Sequence, residues 1–146
     1  MNKDTYTLFS PDENIYYFES KGINGIITKT VIFSPFSINS NLFNLALMDY
    51  NENTHTFSDM TNSNNGDITK VLATVALIIH DFLQKNKTAT VYFEGNTTTK
   101  RNLYNRIIKN NYDYFIENYE IRGSVEEQSE LYIIGKQYDG FYILNN

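Results

Sequence analysis

Residues 91–107, with the sequence VYFEGNTTTKRNLYNRI, decide how the rest of the chain is interpreted. The pattern indicates a buried strand, a Gly-Asn turn, three threonines that can cap a helix, and then a basic helix. A strand that feeds a helix through a turn of small residues exposes free backbone N–H groups at one point. We therefore expect the most site-like geometry of the chain here, although the stretch matches no diagnostic catalytic motif.

Length and composition indicate one domain that covers residues 1–146. Hydrophobic residues make up 41% of the chain and charged residues 20%, which is typical of globular proteins. The sequence contains no cysteine, so disulfides, thiolate metal sites and cysteine nucleophiles are excluded. The N-terminus lacks the apolar run of a signal peptide, and residues 71–79, the longest apolar stretch, are too few to span a bilayer. We expect a cytoplasmic protein without membrane association, and the pattern favours no particular oligomeric state.

Basic residues are concentrated in one part of the chain. The net charge of −5 argues against a nucleic-acid binder that uses its whole surface. Half of the 12 Lys and Arg residues nevertheless lie in residues 85–109, where Glu94 is the only acidic residue. This segment therefore carries about +5 and the remainder about −10. A local basic surface is one interpretation, and an ordinary solvated helix face is the other.

The spacing of apolar residues predicts two helices among short strands. Strands are predicted at residues 15–20, 25–33, 42–50, 88–94, 119–123, 131–134 and 141–144. Helices are predicted at residues 68–84 and from Thr98 onward, the second with Tyr104 inward and extending as far as Phe115. Residues 51–67 are polar and rich in turn formers, and we interpret them as a loop that ends in the helix cap Asp67.

This order predicts an α+β fold. A meander of three antiparallel strands is followed by helix, strand, helix and strand, which gives a mixed sheet with two helices packed on it. The strand at residues 88–94 is expected to run parallel to an earlier strand because it follows a long helix. The order of elements is that of the ribonuclease-H-like fold, which carries no functional motif into this chain by itself.

A nuclease of that fold needs carboxylates that converge on a metal pair. The candidates are Glu19, Asp67 and Glu94, whereas Tyr17 and Phe18 occupy the middle of the first strand, where an aspartate is needed. The two histidines are isolated, and the seven glycines form no nucleotide-binding pattern. The sequence therefore predicts no catalytic residues, no metal ligands and no cofactor, although it leaves open whether the three carboxylates meet.

Two phrases, residues 63–75 (SNNGDITKVLATV) and residues 91–108, together resemble an uncharacterised bacterial family of small single-domain proteins of unknown function. Members of that family carry a similar Asn-Gly-Asp stretch followed by Lys-Val-Leu-Ala-Thr-Val. They also carry Gly-Ser-Thr, Arg and Leu-Tyr after a strand. This chain has Asn96 in place of the serine, and the basic residue corresponds to Lys100 or Arg101. The resemblance covers most of the chain and implies one compact unit, without a known activity.

Two functions other than the nuclease remain. The first is a binding module whose anionic ligand, a nucleotide or nucleic acid, lies at the turn 95–101. Its ligand-binding residues are predicted to be Gly95, Asn96, Thr97, Thr98, Lys100, Arg101, Tyr104 and Arg106, with Tyr104 as a stacking surface. The alternative at the same turn is that the threonines only cap the helix and Tyr104 packs in the core. The second function is a protein-interaction component, as in a toxin–antitoxin or immunity pair, whose acidic remainder meets a basic partner.

Overall fold

The computed structural model describes residues 4–59 and 65–146. Within these residues the chain forms nine strands and three helices. The strands are β1 (Phe9–Asp12), β2 (Ile15–Gly22), β3 (Gly25–Pro35), β4 (Leu42–Asn51), β5 (Thr56–Asp59), β6 (Thr90–Glu94), β7 (Tyr119–Val125), β8 (Gln128–Leu131) and β9 (Gly140–Asn145). The helices are α1 (Ile68–Lys85), α2 (Thr98–Asn110) and α3 (Tyr112–Ile116).

The strands form one mixed sheet with the order β1-β2-β3-β4-β6-β9-β7-β8, and β5 pairs with β4 off this path. The predicted α+β class and mixed sheet are confirmed. β6 runs parallel to β4, as its position after α1 predicts, and the other strand pairs are antiparallel. β6 lies beside the last strand of the meander, with β3 and β4 between it and β2.

One edge of β4 is shared by two strands. Residues 42–44 pair with residues 90–92 of β6, whereas residues 48–51 pair with residues 56–59 of β5. β6 therefore leaves β4 halfway along its length, and α2 starts just beyond this fork. The fork places the first turn of α2 beside the end of β5.

The hydrophobic core lies between one face of the sheet and the helices. The side chains of the strands that face the helices alternate with outward ones, as strand geometry requires. α1 supplies the centre of the core because its apolar residues recur at helical spacing. Fully enclosed residues include Phe18, Val31, Leu72, Val75, Ile78, Phe82, Val91, Phe93, Ile107, Phe115, Phe141 and Ile143.

Asn65 and Asp67 fix the start of α1 to the β2–β3 hairpin. The Asn65 side chain donates to Gly25 O (2.9 Å) and accepts from the backbone N–H of Asn24 (2.7 Å). A Cβ at Gly22 would lie 1.8 Å from Asn65 O, so only glycine fits there. The predicted tight turn at residues 64–67 is described from Asn65 onward, where Gly66 has a positive φ of 76°; Asn64 lies outside the described residues.

The predicted cap role of Asp67 is wrong for its side chain. Asp67 stands at the N-cap position of α1, but its carboxylate makes no capping hydrogen bond. It instead accepts from the hydroxyls of Tyr6 and Ser20, each at 2.6 Å. These two donors lie on the N-terminal segment and on β2, so the carboxylate connects three parts of the chain.

Several elements differ from the sequence prediction. β1 and β5 are four residues long and largely exposed, with one phenylalanine each, so no apolar alternation marks them, and β5 lies in the predicted loop. The predicted second helix is divided into α2 and α3 because the buried side chain of Asn111 bonds Ile107 O (2.8 Å). The strand predicted at residues 131–134 is shifted to β8, which starts directly after a two-residue turn.

Candidate functional site

The predicted turn between β6 and α2 is tightly built. Gly95 is buried, and its N–H donates to Asp139 O at 3.0 Å. A Cβ at Gly95 would lie 2.5 Å from the backbone N of Arg101, so glycine lets α2 pack directly on the end of β6. Thr97 is the N-cap of α2, and its hydroxyl accepts from the N–H of Lys100 at 3.2 Å. The capping role proposed for the threonines is thus observed at Thr97.

Two of the predicted cationic ligands have partners within the protein. Lys100 Nζ lies 3.0 Å from a carboxylate oxygen of Asp59, which ends β5. The Arg101 guanidinium donates to Gly95 O (3.2 Å) and Thr98 Oγ1 (3.3 Å). Lys100 therefore connects α2 to β5, and Arg101 connects it to the turn that follows β6.

Asn96 and Arg106 are exposed, in agreement with a solvent-facing site. Within the described residues, neither Arg101 nor Arg106 forms an ion pair, so Glu117 and Glu120 do not neutralise them. The charges of Arg101, in the first turn of α2, and Arg106, further along the helix, are therefore not compensated by an ion pair with the described residues.

Tyr104 does not offer the stacking surface that the sequence suggested. Its side chain is in the core, and its ring meets Phe93 edge-on with the centroids 5.2 Å apart. Burial raises the pKa of Tyr104 to about 12, and the carboxylate of Asp59 adds to this effect. Tyr104 is buried because the core side of α2 needs an apolar residue at this position, and the ring of a tyrosine satisfies that need.

The basic segment of residues 85–109 does not form one surface. Lys85 and Lys87 lie before β6, whereas Lys100 and Arg101 lie beyond its other end. Lys85 is also paired with Asp81 on its own helix at 2.9 Å. The sequence cluster is divided because a strand separates its two halves in space.

The carboxylates of the nuclease hypothesis are not brought together. Glu19 and Glu94 lie on β2 and β6, with two strands between them, which amounts to about 14 Å across the sheet. Asp67 hydrogen-bonds Ser20, whose side chain faces the helices, whereas its neighbour Glu19 faces the opposite side. In the part of the chain that the structure describes, no three His, Asp or Glu side chains are arranged to hold a metal ion.

A larger feature, which the sequence analysis missed, is the face of the sheet opposite the helices. Its central side chains are half-buried, and within the described residues no helix packs on it. They include Tyr17, Ile32, Met48, Tyr92, Tyr142 and Leu144. We call this surface the open face. The signal was present in β2, where Ile15 and Tyr17 alternate with the core residues Tyr16 and Phe18, so that both faces of the strand carry large apolar groups.

Aromatic rings pair along the open face. The rings of Tyr92 and Tyr142 lie 4.6 Å apart, and Phe36 approaches Tyr92 at 6.1 Å. Further pairs, Phe9 with Tyr17 and Tyr50 with Phe57, each lie 5.0 Å apart on strands of the meander side. The open face is therefore a broad aromatic surface.

The charges of the open face are mainly acidic. Glu19 and Glu94 are exposed there, and Glu120 lies 3.5 Å from Arg122 in an ion pair that leaves no net charge. Tyr92 donates its hydroxyl to Glu94 at 2.6 Å, and burial together with this carboxylate raises the pKa of Tyr92. The surface thus combines aromatic rings with carboxylates, and among the described residues of its strands Lys21, two residues after Glu19 on β2, is the one exposed cation outside an ion pair.

Comparison with known proteins places the chain in one family. No helix of the described residues is long and apolar enough to cross a membrane. Searches of curated protein sequences and of solved structures find no match. A family model with the description "Family of unknown function (DUF6934)" matches residues 2–146. The resemblance expected from residues 63–75 and 91–108 is therefore confirmed, and the chain belongs to the family of unknown function DUF6934.

Proposed function

We propose that this protein is an interaction module that binds a basic partner protein through the open face. One observation carries the proposal: the helices cover one face of the sheet, while the other face presents paired aromatic rings. Tyrosine and phenylalanine are enriched at protein interfaces because they bury large areas with few rotatable bonds. A sheet this wide offers enough area for a stable contact of standard size.

Charge decides between a protein and a nucleic acid as the partner. Aromatic rings on a sheet can stack on unpaired bases, but single-stranded nucleic acids also require Lys or Arg along their phosphates. The open face carries Glu19 and Glu94, its Arg122 is paired with Glu120, and the single cation Lys21 at one end of β2 cannot line a phosphate backbone. A basic protein surface complements these carboxylates, and the net charge of −5 accelerates its encounter with the chain.

The test is a double substitution on the open face, Tyr92→Ala with Tyr142→Ala. Partners cross-linked to the wild-type protein in its native cells are identified, produced separately and titrated against both proteins by calorimetry. We expect the double variant to fold like the wild type and to lose about 100-fold or more in affinity, as interface aromatics do when truncated. Arg106→Ala on α2 is the matched control, and its affinity should stay unchanged.

Two outcomes would contradict the proposal. One is a reconstituted partner that binds the open-face variant as tightly as the wild type. The other is sensitivity to Arg106→Ala alone, which would move the interface to α2. Sedimentation of the isolated protein shows whether the open face instead binds a second copy.

A second candidate function is the anion site predicted at residues 95–101. The first turn of a helix has N–H groups without intrahelical acceptors, here those of Thr98 and Thr99, and it has a partial positive charge. The exposed Arg106 and the half-buried Arg101 supply charge without an ion-pair partner in the described residues. A nucleotide or nucleic acid is the corresponding ligand.

This candidate is tested by titration with RNA, single-stranded DNA and nucleotides, with and without Mg²⁺. Arg101→Glu combined with Arg106→Glu should abolish polyanion binding while the melting temperature is nearly unchanged. Lys109→Glu is the matched control, because it reverses a charge of α2 away from the turn. Equal affinity of the double variant and the wild type would refute the anion site, and cleavage in Mg²⁺ would instead support the metal-dependent nuclease.

A further inference from the structure

The outer edge of β8 is open. β8 ends the sheet and pairs only with β7 among the described residues. The N–H of Tyr132 donates to Ile121 O of β7 at 2.9 Å. Because donors alternate along an antiparallel strand, the N–H and C=O groups of Ser129 and Leu131 point away from β7. These groups are available to pair with another strand.

The two edges of the sheet differ in their protection. β1, at the opposite edge, contains Pro11 and Asp12, and its register with β2 is irregular. A proline, a charged residue and an irregular register each hinder the addition of a further strand. β8 has no proline and no lysine, and its register with β7 is regular. Lys136, the nearest lysine along the chain, is held by Glu130 at 2.7 Å. The β8 edge therefore lacks the proline and the irregular register of β1, and Glu130, its one charged residue, is held by Lys136.

Exposed apolar side chains lie at and beside the β8 edge. Leu131 is 60% exposed, and Ile134, in the segment that follows, is 62% exposed. A cavity of about 380 Å³ opens between α3 and the edge, lined by Tyr112, Ile116, Ile121, Leu131 and Tyr132 among others. A strand added to β8 would place alternate side chains on the helix side of the sheet, where this cavity lies.

The net charge around β8 indicates what kind of segment would bind at this edge. Residues 113–136 contain six carboxylates and two basic residues, a net charge of −4. Both basic residues are already paired, Arg122 with Glu120 and Lys136 with Glu130. Glu126 and Glu127 are exposed at the β7–β8 turn and form no ion pair within the described residues. A cationic segment complements this edge.

We propose that β8 is the docking edge for an extended, basic segment of a partner protein, which adds to the sheet as one further strand. Its backbone pairs with Ser129 and Leu131, its apolar side chains enter the cavity beside α3, and its Lys or Arg side chains lie near Glu126 and Glu127. This mode of recognition takes affinity from the main chain and specificity from alternate side chains. The docking edge is separate from the open face and does not depend on the function proposed for it.

The test uses a defined probe, a fluorescent peptide of sequence KVKVKVK with blocked ends. Binding to the full-length protein is followed by anisotropy at low ionic strength, about 50 mM, where charge attraction is weakly screened. A peptide of sequence EVEVEVE is the charge control, and KVKPKVK is the control that cannot pair as a continuous strand. We expect saturable binding of the first peptide and at least about tenfold weaker binding of both controls, which corresponds to 1.4 kcal/mol.

Leu131→Pro and Leu131→Ala form the matched pair of variants. The proline removes an outward N–H and leaves the β7–β8 ladder intact, whereas the alanine keeps that N–H and loses a similar apolar area. We expect the proline variant to bind the peptide at least about tenfold more weakly than the alanine variant. Amide exchange supplies a test without substitution: the N–H groups of Ser129 and Leu131 should become protected when the peptide is bound to the wild type.

Equal peptide affinity of the two Leu131 variants, or unprotected Ser129 and Leu131 amides at saturation, would overturn the proposal. The same holds if the wild type shows no saturable binding. Tyr92→Ala with Tyr142→Ala should leave peptide binding unchanged, so that failure of the open face and failure of the docking edge give different results.

Discussion

Lys29 and Asp49 stand directly opposite each other on β3 and β4, and their side chains form a buried ion pair. Lys29 Nζ lies 2.8 Å from Asp49 Oδ1, and the two side chains are 4% and 9% exposed. The pair occupies the core side of the sheet, on the same strands as Val31 and Leu47. Each charge is therefore compensated by the other at close range.

We expect Lys29→Met to destabilise the protein by about 3–5 kcal/mol, because it leaves a carboxylate buried without its counter-ion. The double variant Lys29→Met with Asp49→Leu should regain most of this loss, since it removes both charges and keeps the volume. Urea denaturation of the three proteins measures the difference. A single variant within about 1 kcal/mol of the wild type would mean that the pair is solvated in solution.

Asp67→Ala should cost more than the removal of an ordinary cap. The carboxylate accepts two short hydrogen bonds, from Tyr6 and Ser20, and hydrogen bonds to charged groups are worth about 1.5–3 kcal/mol each. Thr97→Ala, at the N-cap of α2, is the matched comparison and should cost about 1 kcal/mol. Equal losses of unfolding free energy in the two variants would show that the hydrogen bonds of Asp67 contribute little.

The sequence predicted the central part of the fold well. Val75 and Phe82 of α1 are fully buried, as helical spacing of apolar residues indicated, and they share one core with Val91 and Phe93 of β6. Periodicity succeeds here because these elements are long and bury one face each. The crossover from α1 then leaves few places for β6, and its parallel pairing with β4 follows.

Other parts of the structure carry no local signal in the sequence. β5 has three exposed residues and the half-buried Asp59, so only its pairing with β4 makes it a strand. The partners of Lys100 and Asp67 are distant in sequence, 41 and 61 residues away in the cases of Asp59 and Tyr6. The β6–α2 turn itself could therefore be predicted from the sequence, but the neutralisation of Lys100 and the burial of Tyr104 depend on tertiary packing that the pattern does not encode.

Acidic conditions should destabilise the protein in part through His80. Burial lowers the pKa of His80 and outweighs the opposing effect of Asp81, and Lys87 lowers the pKa further. The ring also contacts Tyr114, and its Nδ1 lies 2.7 Å from the Tyr119 hydroxyl. Because the unfolded chain binds the proton more readily, stability is lost as the pH falls through the unfolded pKa of about 6.5 toward the lower folded value.

The measurement is the melting temperature at pH values on either side of this range. We expect the decrease on acidification to be smaller in His80→Gln than in the wild type, because the variant lacks the titrating group. Tyr119→Phe serves as the control, since it removes the hydroxyl partner and leaves His80 able to titrate. If His80→Gln and the wild type lose stability in parallel, the acid sensitivity comes from other groups.

Substitution of the two central residues of the β7–β8 turn should increase the stability of the protein. Its two central residues, Glu126 and Glu127, have positive φ angles of 52° and 67°. Such a two-residue hairpin favours Asn-Gly, because L-residues with a Cβ are strained in this region by about 1 kcal/mol or more each. Glu126→Asn with Glu127→Gly should therefore stabilise the protein by about 1 kcal/mol after the entropy of the added glycine is counted.

The control for this variant is Glu126→Ala with Glu127→Ala, which removes both carboxylates and keeps a Cβ at both positions. Urea denaturation should show the gain only for Asn-Gly. Both double variants should bind the KVKVKVK peptide several-fold more weakly than the wild type, because both lose the charges that face its lysines. A turn that becomes more stable while the docking edge becomes weaker would mean that the two glutamates are retained for recognition rather than for folding. Unchanged stability in the Asn-Gly variant would instead show that the turn is not strained in solution.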